Sequence, residues 1–162
     1  MTEQTWKKGD YTISTDRQLM DRDMIYHYLS QESYWAQGLP RTVFEKSFAH
    51  SSLCFGLFTG DPTGEGTAEQ IGFARVVSDM ATFAYLADVF ILTPYRGQGL
   101  SKWMIDTILK HPEMQGLRRF MLATRDAHSL YSRFGFRPLS QPDKMMEIAR
   151  GKEVYAQNEN QA

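Results

Sequence analysis

The chain has 162 residues, 42% of them hydrophobic and 13% aromatic, which is enough for one domain with its own core and too apolar for a disordered chain. Eighteen Lys and Arg against 19 Asp and Glu leave a net charge of −1, which argues against the basic footprint of a nucleic-acid-binding protein. The single cysteine, Cys54, rules out an internal disulfide, and His27, His50, His111 and His128 form no i, i+4 pair, so no metal site is expected.

Taken in order, the N-terminal MTEQTWKKGDYTI has no apolar h-region, and no run of about 18 apolar residues follows anywhere. A cytoplasmic protein without membrane or nucleic-acid partners is therefore expected. Tyr11 to Ser14 alternates and predicts a first strand. Asp21 to Gln31 predicts a helix with Met24, Ile25, Tyr28 and Leu29 inward, followed by an aromatic loop closed by Gly38 and Pro40. Arg41 to His50 predicts a second helix on the stripe Val43, Phe44 and Phe48. Strands are expected at 52–59 and 71–78, joined by the Gly- and Pro-rich TGDPTGEGTAEQ. Cys54 lies in the first of these and reads as a buried core thiol.

The organising stretch runs from Phe83 to His111. FAYLADVFIL is apolar on both faces, as a central strand should be, with Asp88 its one charge. TPYRGQG turns sharply into a helix whose stripe is Leu100, Met104 and Ile108, stopped by Pro112. A Gly-rich turn that opens a helix presents unpaired N–H groups at the positive end of a dipole, an anion site. It has neither the GxxxxGK[ST] of a Walker loop nor the third Gly of a dinucleotide fingerprint, whose place Lys102 takes, so a nucleotide-binding domain is set aside. Downstream, Arg119 to Ala123 predicts a strand, Asp126 an N-cap, Ala127 to Phe134 a short helix, and Gly135 its C′ residue. Further strands are expected at 136–139 and 145–148. The domain is read as 1–148, with 149–162 a polar, frayed tail.

Two motifs together resemble the GNAT superfamily of N-acetyltransferases. Arg96-Gly97-Gln98-Gly99-Leu100-Ser101 resembles its R/Q-x-x-G-x-G/A turn, with Ser101 in place of the usual Gly or Ala. Ala127-His128-Ser129-Leu130-Tyr131-Ser132-Arg133-Phe134-Gly135-Phe136 resembles its A-x-x-L-Y-x-x-x-G-F segment. The resemblance implies an α+β fold: a mixed, mostly antiparallel sheet of six or seven strands, helices on both faces, and a splayed parallel pair at 85–92 and 119–123. It implies acetyl transfer from acetyl-CoA, with no metal, to a primary amine by direct attack in a ternary complex. The acceptor would be a small molecule or a peptide amine, and the chain a monomer or homodimer.

The resemblance also assigns roles. The turn from Arg96 to Ser101, including Gln98 and Leu100, would hold the pyrophosphate, and a backbone N–H at Ile91 or Leu92 would polarise the thioester. Thr124 stands where the family often has an Asn that contacts the pantetheine arm. Tyr131 would protonate the departing thiolate. Asp88 is either the base, or the head of a water chain, for an amine of pKa ~10.4, or a structural partner of Arg75. Tyr26, Tyr34 and Trp35 would cover the acceptor. The alternative from another class is a catalytically silent acyl-CoA-binding sensor, which has no need of Tyr131 and Asp88 together.

Overall fold

Strand and helix content of the computed structural model, which describes residues 2–159, follows from two apolar alternations meeting at one sheet. Six strands lie in chain order: β1 (Thr5–Lys8), β2 (Tyr11–Ser14), β3 (Leu53–Thr59), β4 (Glu69–Ser78), β5 (Phe83–Ile91) and β6 (Arg119–Met121). Neighbours are antiparallel except β5 and β6, which run parallel. This is the mixed, mostly antiparallel sheet that the sequence leads one to expect, with the parallel pair where it was placed.

Alternation along β3 divides the core. Leu53, Phe55 and Leu57 pack on one face with Met104, Ile105 and Ile108 of α3 (Leu100–Lys110). Cys54 and Phe58 pack on the other with Ile25 of α1 (Arg22–His27) and Phe44 and Phe48 of α2 (Arg41–His50). Each fully buried Phe or Leu contributes about 1.5–3 kcal/mol of transfer free energy, so the sheet is held from both sides. Cys54 is 1% exposed, and burial pushes its thiol up to about 11, as befits an inert core residue.

Several boundaries differ from expectation. β1 was not foreseen, because TWKK carries only one apolar residue; it pairs along its whole length with β2. The first helix is capped by Asp21, which accepts from Met24 N–H, but it is α-helical only to His27 and then widens into a π turn at Tyr28–Glu32. Ser30 and Ser33 donate back to the carbonyls of Tyr26 and Leu29, a competition with the helical ladder that accompanies the change. The strands expected at 136–139 and 145–148 are absent. Pro138 has no N–H to give a ladder, and a one-turn helix at Pro142–Lys144 diverts the chain from the edge of β6. Residues 145–150 then run extended, with Met146 96% exposed. The tail is no simple fray: α5 (Glu153–Glu159) docks on α2.

His111 ends α3 from inside the core. It is 1% exposed, lies edge-on to Trp6 and Phe55, and its Nδ1 accepts from Glu113 N–H, which leaves the proton on Nε2. Nε2 has no partner among the described residues. Burial depresses the imidazole pKa below its usual 6.5, against a smaller opposing effect of Glu113. The unfolded chain therefore takes up a proton near pH 6.5 that the folded chain resists, so stability declines as pH falls below about 6.5 and levels off beneath the folded pKa. We expect the melting temperature to drop across that window, and His111→Phe to flatten the drop; calorimetry from pH 8 to 5 in both proteins tests it.

Candidate active site

The turn after β5 has the form that an anion site requires. Gly97 and Gly99 sit at φ 81° and 77°, conformations that side chains resist. A methyl group at either would meet no atom within 4 Å, so the space above the turn is open. Gly99 caps α3 without any side-chain bond, and the first intrahelical bond runs from Trp103 N–H to the Gly99 carbonyl. The N–H groups of Leu100, Ser101 and Lys102 precede it and have no partner within the helix. Gln98 is held by the Tyr11 hydroxyl, which donates to its Oε1 at 2.8 Å. Arg96 donates from Nε to the Ile91 carbonyl and from Nη2 to the Tyr28 hydroxyl, both at 2.9 Å. Both partners are neutral, and no carboxylate among the described residues forms a salt bridge with the guanidinium beside the turn.

Below the turn the sheet opens. β5 and β6 pair only from Phe83–Arg119 to Tyr85–Met121, and β5 continues to Ile91 with no strand on that edge among the described residues. Leu92 N–H donates to the Ile71 carbonyl, which removes it as a candidate donor to a substrate. By the alternation of an antiparallel ladder, Ile91, opposite Gly72, then turns its N–H away from β4 and into the gap.

A cleft of about 580 Å³ continues from the gap between α2 and β5. Asp88 sits in its floor at a bulge, with φ 55°. Oδ2 accepts from Arg75 Nε at 2.6 Å and Oδ1 from the Trp35 indole N–H at 2.8 Å. The ion pair foreseen as the structural alternative is thus present, and the carboxylate is committed on both oxygens. Trp35 lies edge-on to Tyr34, whose ring carries the Arg125 guanidinium at 3.8 Å and whose hydroxyl accepts from Arg125 N–H. Across the cleft Tyr131, on α4 (His128–Ser132), is 8% exposed; burial raises its phenol to about 12, with a smaller push from Tyr34. Its hydroxyl makes no hydrogen bond among the described residues. It therefore stays protonated, with its proton free for a ligand.

The structure brings Asp88, Tyr131, Thr124, Tyr34 and Trp35 into one cleft, with the turn at the end of the splayed strand. Tyr26 is not part of it: its ring packs against Phe44 of α2, with the Arg41 guanidinium over both rings. Asp126 does not cap α4: the N-cap is Ala127, no side chain caps the helix, and Thr124 Oγ1 accepts from Ala127 N–H just before it. Arg75, Tyr85 and Arg125 also line the cleft, and so does Tyr155 of α5. The sequence signal for Tyr155 was the Val154–Tyr155 pair, the one apolar patch in an otherwise polar tail.

Residues 63–138 match the family model described as "Acetyltransferase (GNAT) domain". FG08082 of Gibberella zeae, whose name as an acetyltransferase is itself provisional, is 36% identical over 145 residues, 80% of each chain. A GNAT-family crystal structure from Xanthomonas campestris pv. campestris, equally provisional in activity, is 46% identical over 90% of this chain and 96% of that one, with a TM-score of 0.80. A structure from Deinococcus radiodurans, also named an acetyltransferase provisionally, shares the fold at 17% identity and TM-score 0.68 over 94% of this chain and 97% of that one. No helix among the described residues is long and apolar enough to cross a membrane.

The Asp88–Arg75 pair is shielded, with side chains 11% and 21% exposed, so breaking it strands a charge. Asp88→Asn should cost about 1–3 kcal/mol in urea unfolding. Arg75→Met in the same chain should recover part of that loss, and a double-mutant cycle reads the coupling; simple additivity would deny it.

Proposed function

We propose, from the premise that the chain belongs to the GNAT family of acetyltransferases, that it transfers the acetyl group of acetyl-CoA to a primary amine by direct attack in a ternary complex. The observation that carries this reading is the gap between β5 and β6, which joins an open N–H-lined turn to a cleft containing a free, protonated phenol. The residues present fit acetyl-CoA. The turn at 96–101 would take the pyrophosphate, with Arg96 adding charge, and the gap would take the pantetheine arm beside Thr124. When bound, the thioester supplies an activated acetyl group.

Ile91 N–H, fixed by the ladder and turned into the gap, stabilises negative charge on the acetyl oxygen. The amine lone pair forms the C–N bond, and the C–S bond breaks with its electron pair on sulfur. Two protons leave nitrogen; one reaches solvent and one ends on sulfur. Tyr131 donates a hydrogen bond to that sulfur. With its pKa near 12 it does so without first ionising, and the same desolvation raises the basicity of the thiolate it faces.

Asp88 acts as a positioning residue. Its two oxygens hold Arg75 and Trp35, and its bulge shapes β5. The ammonium then loses its first proton to water in the open cleft. On this scheme kcat/KM rises about tenfold per pH unit below the amine pKa, whereas a carboxylate base would give a plateau at neutral pH.

The test is acetyl-CoA calorimetry followed by thiol release over a panel of amines. Tyr131→Phe should lower kcat about 10–100-fold and leave the acetyl-CoA Kd unchanged; equal loss of both would remove the donor role. Binding with no thiol release from any amine would favour a silent acyl-CoA-binding module. No binding at millimolar cofactor would overturn the proposal altogether.

A further inference from the structure

Charge inside the cleft restricts the acceptor. Four charged side chains line it, Arg75, Asp88, Arg125 and Asp126, and they pair two by two. Arg75 Nε meets Asp88 at 2.6 Å and Arg125 Nη2 meets Asp126 at 3.3 Å. The shielded carboxylate, Asp88, is committed on both oxygens, and the other, Asp126, is 62% exposed and shares its charge with Arg125 in water. The face of Tyr34, which could otherwise attract a cation, already carries Arg125. Apart from Ser47 and Thr124, the remaining lining is apolar or aromatic, Leu39, Val43, Trp35 and Tyr85 among it.

The outer wall comes from beyond the segment that the family model matches. α5 docks on α2, and Tyr155 lines the cleft together with Val43 and Ser47 while packing on the same apolar cluster as Phe44 and Phe48. Tyr155 thus adds to a cleft that is otherwise lined from α2, β5 and the loops beside them.

We infer that the acceptor is a monoamine with a single aromatic or branched apolar body, lying between α2 and β5, and that Tyr155 packs against that body. The inference rests on the transferase reading and deepens it. A polyamine or a lysine-rich peptide would bring further ammonium groups against a cleft whose shielded carboxylate already holds Arg75 and whose arginines repel them, at a desolvation cost. An apolar body gains by leaving water.

The experiment compares 2-phenylethylamine and isopentylamine with ethylamine, spermidine and an N-blocked lysine amide. The first two should exceed spermidine and the lysine amide in kcat/KM by about tenfold or more, the scale set by one extra group in a hydrophobic pocket. Tyr155→Ala should raise KM for 2-phenylethylamine about tenfold, change ethylamine little, and leave the acetyl-CoA Kd untouched; Tyr155→Phe should restore the wild-type value. Val43→Phe, which fills the cleft from α2, should exclude 2-phenylethylamine and spare ethylamine, and it does not depend on α5 remaining docked. A preference for spermidine, or an equal effect of Tyr155→Ala on both amines, overturns the inference while leaving the transferase reading intact. If no amine releases thiol, the transferase reading fails by itself. Direct calorimetry of 2-phenylethylamine against spermidine on the wild-type protein then still decides the cleft's preference.

Discussion

β5 must serve two neighbours that want different things of it, and most of the site follows from that constraint. On one edge it pairs with β4 nearly to its end, from Ser78–Ala84 to Gly72–Ile91. On the other it pairs with β6 for three residues and then stands alone. A bulge lets one strand do both. Asp88 takes the left-handed conformation, which costs most residues about 1–2 kcal/mol and Asp less, because its short polar side chain bonds locally. The extra residue increases the local twist. Arg75 and Trp35 then hold the carboxylate that the bulge exposes, so the strain and its compensation sit in one place.

The same strand ties the two halves of the site together. Phe90 stacks on Tyr28 at 3.8 Å, and the Tyr28 hydroxyl accepts from Arg96, which also binds the Ile91 carbonyl. The π turn that ends α1 carries Tyr28 to that position. One contact chain therefore runs from the acceptor side, through the end of β5, to the Gly-rich turn. Gly72 makes its closest part possible: a Cβ there would lie 2.8 Å from Ile91 Cδ1 and 3.0 Å from the Phe90 carbonyl oxygen. The rigidity of this chain matters because a fixed N–H stabilises charge better than one that must reorient.

Legibility in the sequence tracked locality. The turn at 96–101, α3 and the alternating strands could be read because glycine position and apolar period are local properties, and they stand where the residues put them. Which of Ile91 and Leu92 faces the gap could not be read, since that depends on the register with β4 through Gly72 and Ile71. The pairing of Asp88 was legible as one of two alternatives, because a lone carboxylate in an apolar strand must be compensated; only the fold brings Trp35 to its second oxygen. β1 and α5 were missed for a shared reason. Each is short and carries one or two apolar residues, so its stability comes from docking and not from its own pattern. The strands expected at 136–139 and 145–148 failed in the opposite way: FRPL and MMEI have strand-like composition, but Pro138 and the turn at 142–144 keep the chain from laddering on β6.

The ionisable groups of the site differ in the partners they have, and the difference sorts their roles. Tyr131 is uncharged, so burial only locks its proton on and leaves a donor of fixed state across the physiological range. Asp88 would be costly to bury alone, and Arg75 and Trp35 offset that cost by reaching one oxygen each. A carboxylate committed on both oxygens holds its partners in place. The group best placed to bind charge at this cleft is therefore the one already spent, and the group best placed to donate is the one left without a partner. That division favours an acceptor that arrives with little charge of its own beyond the nitrogen that reacts.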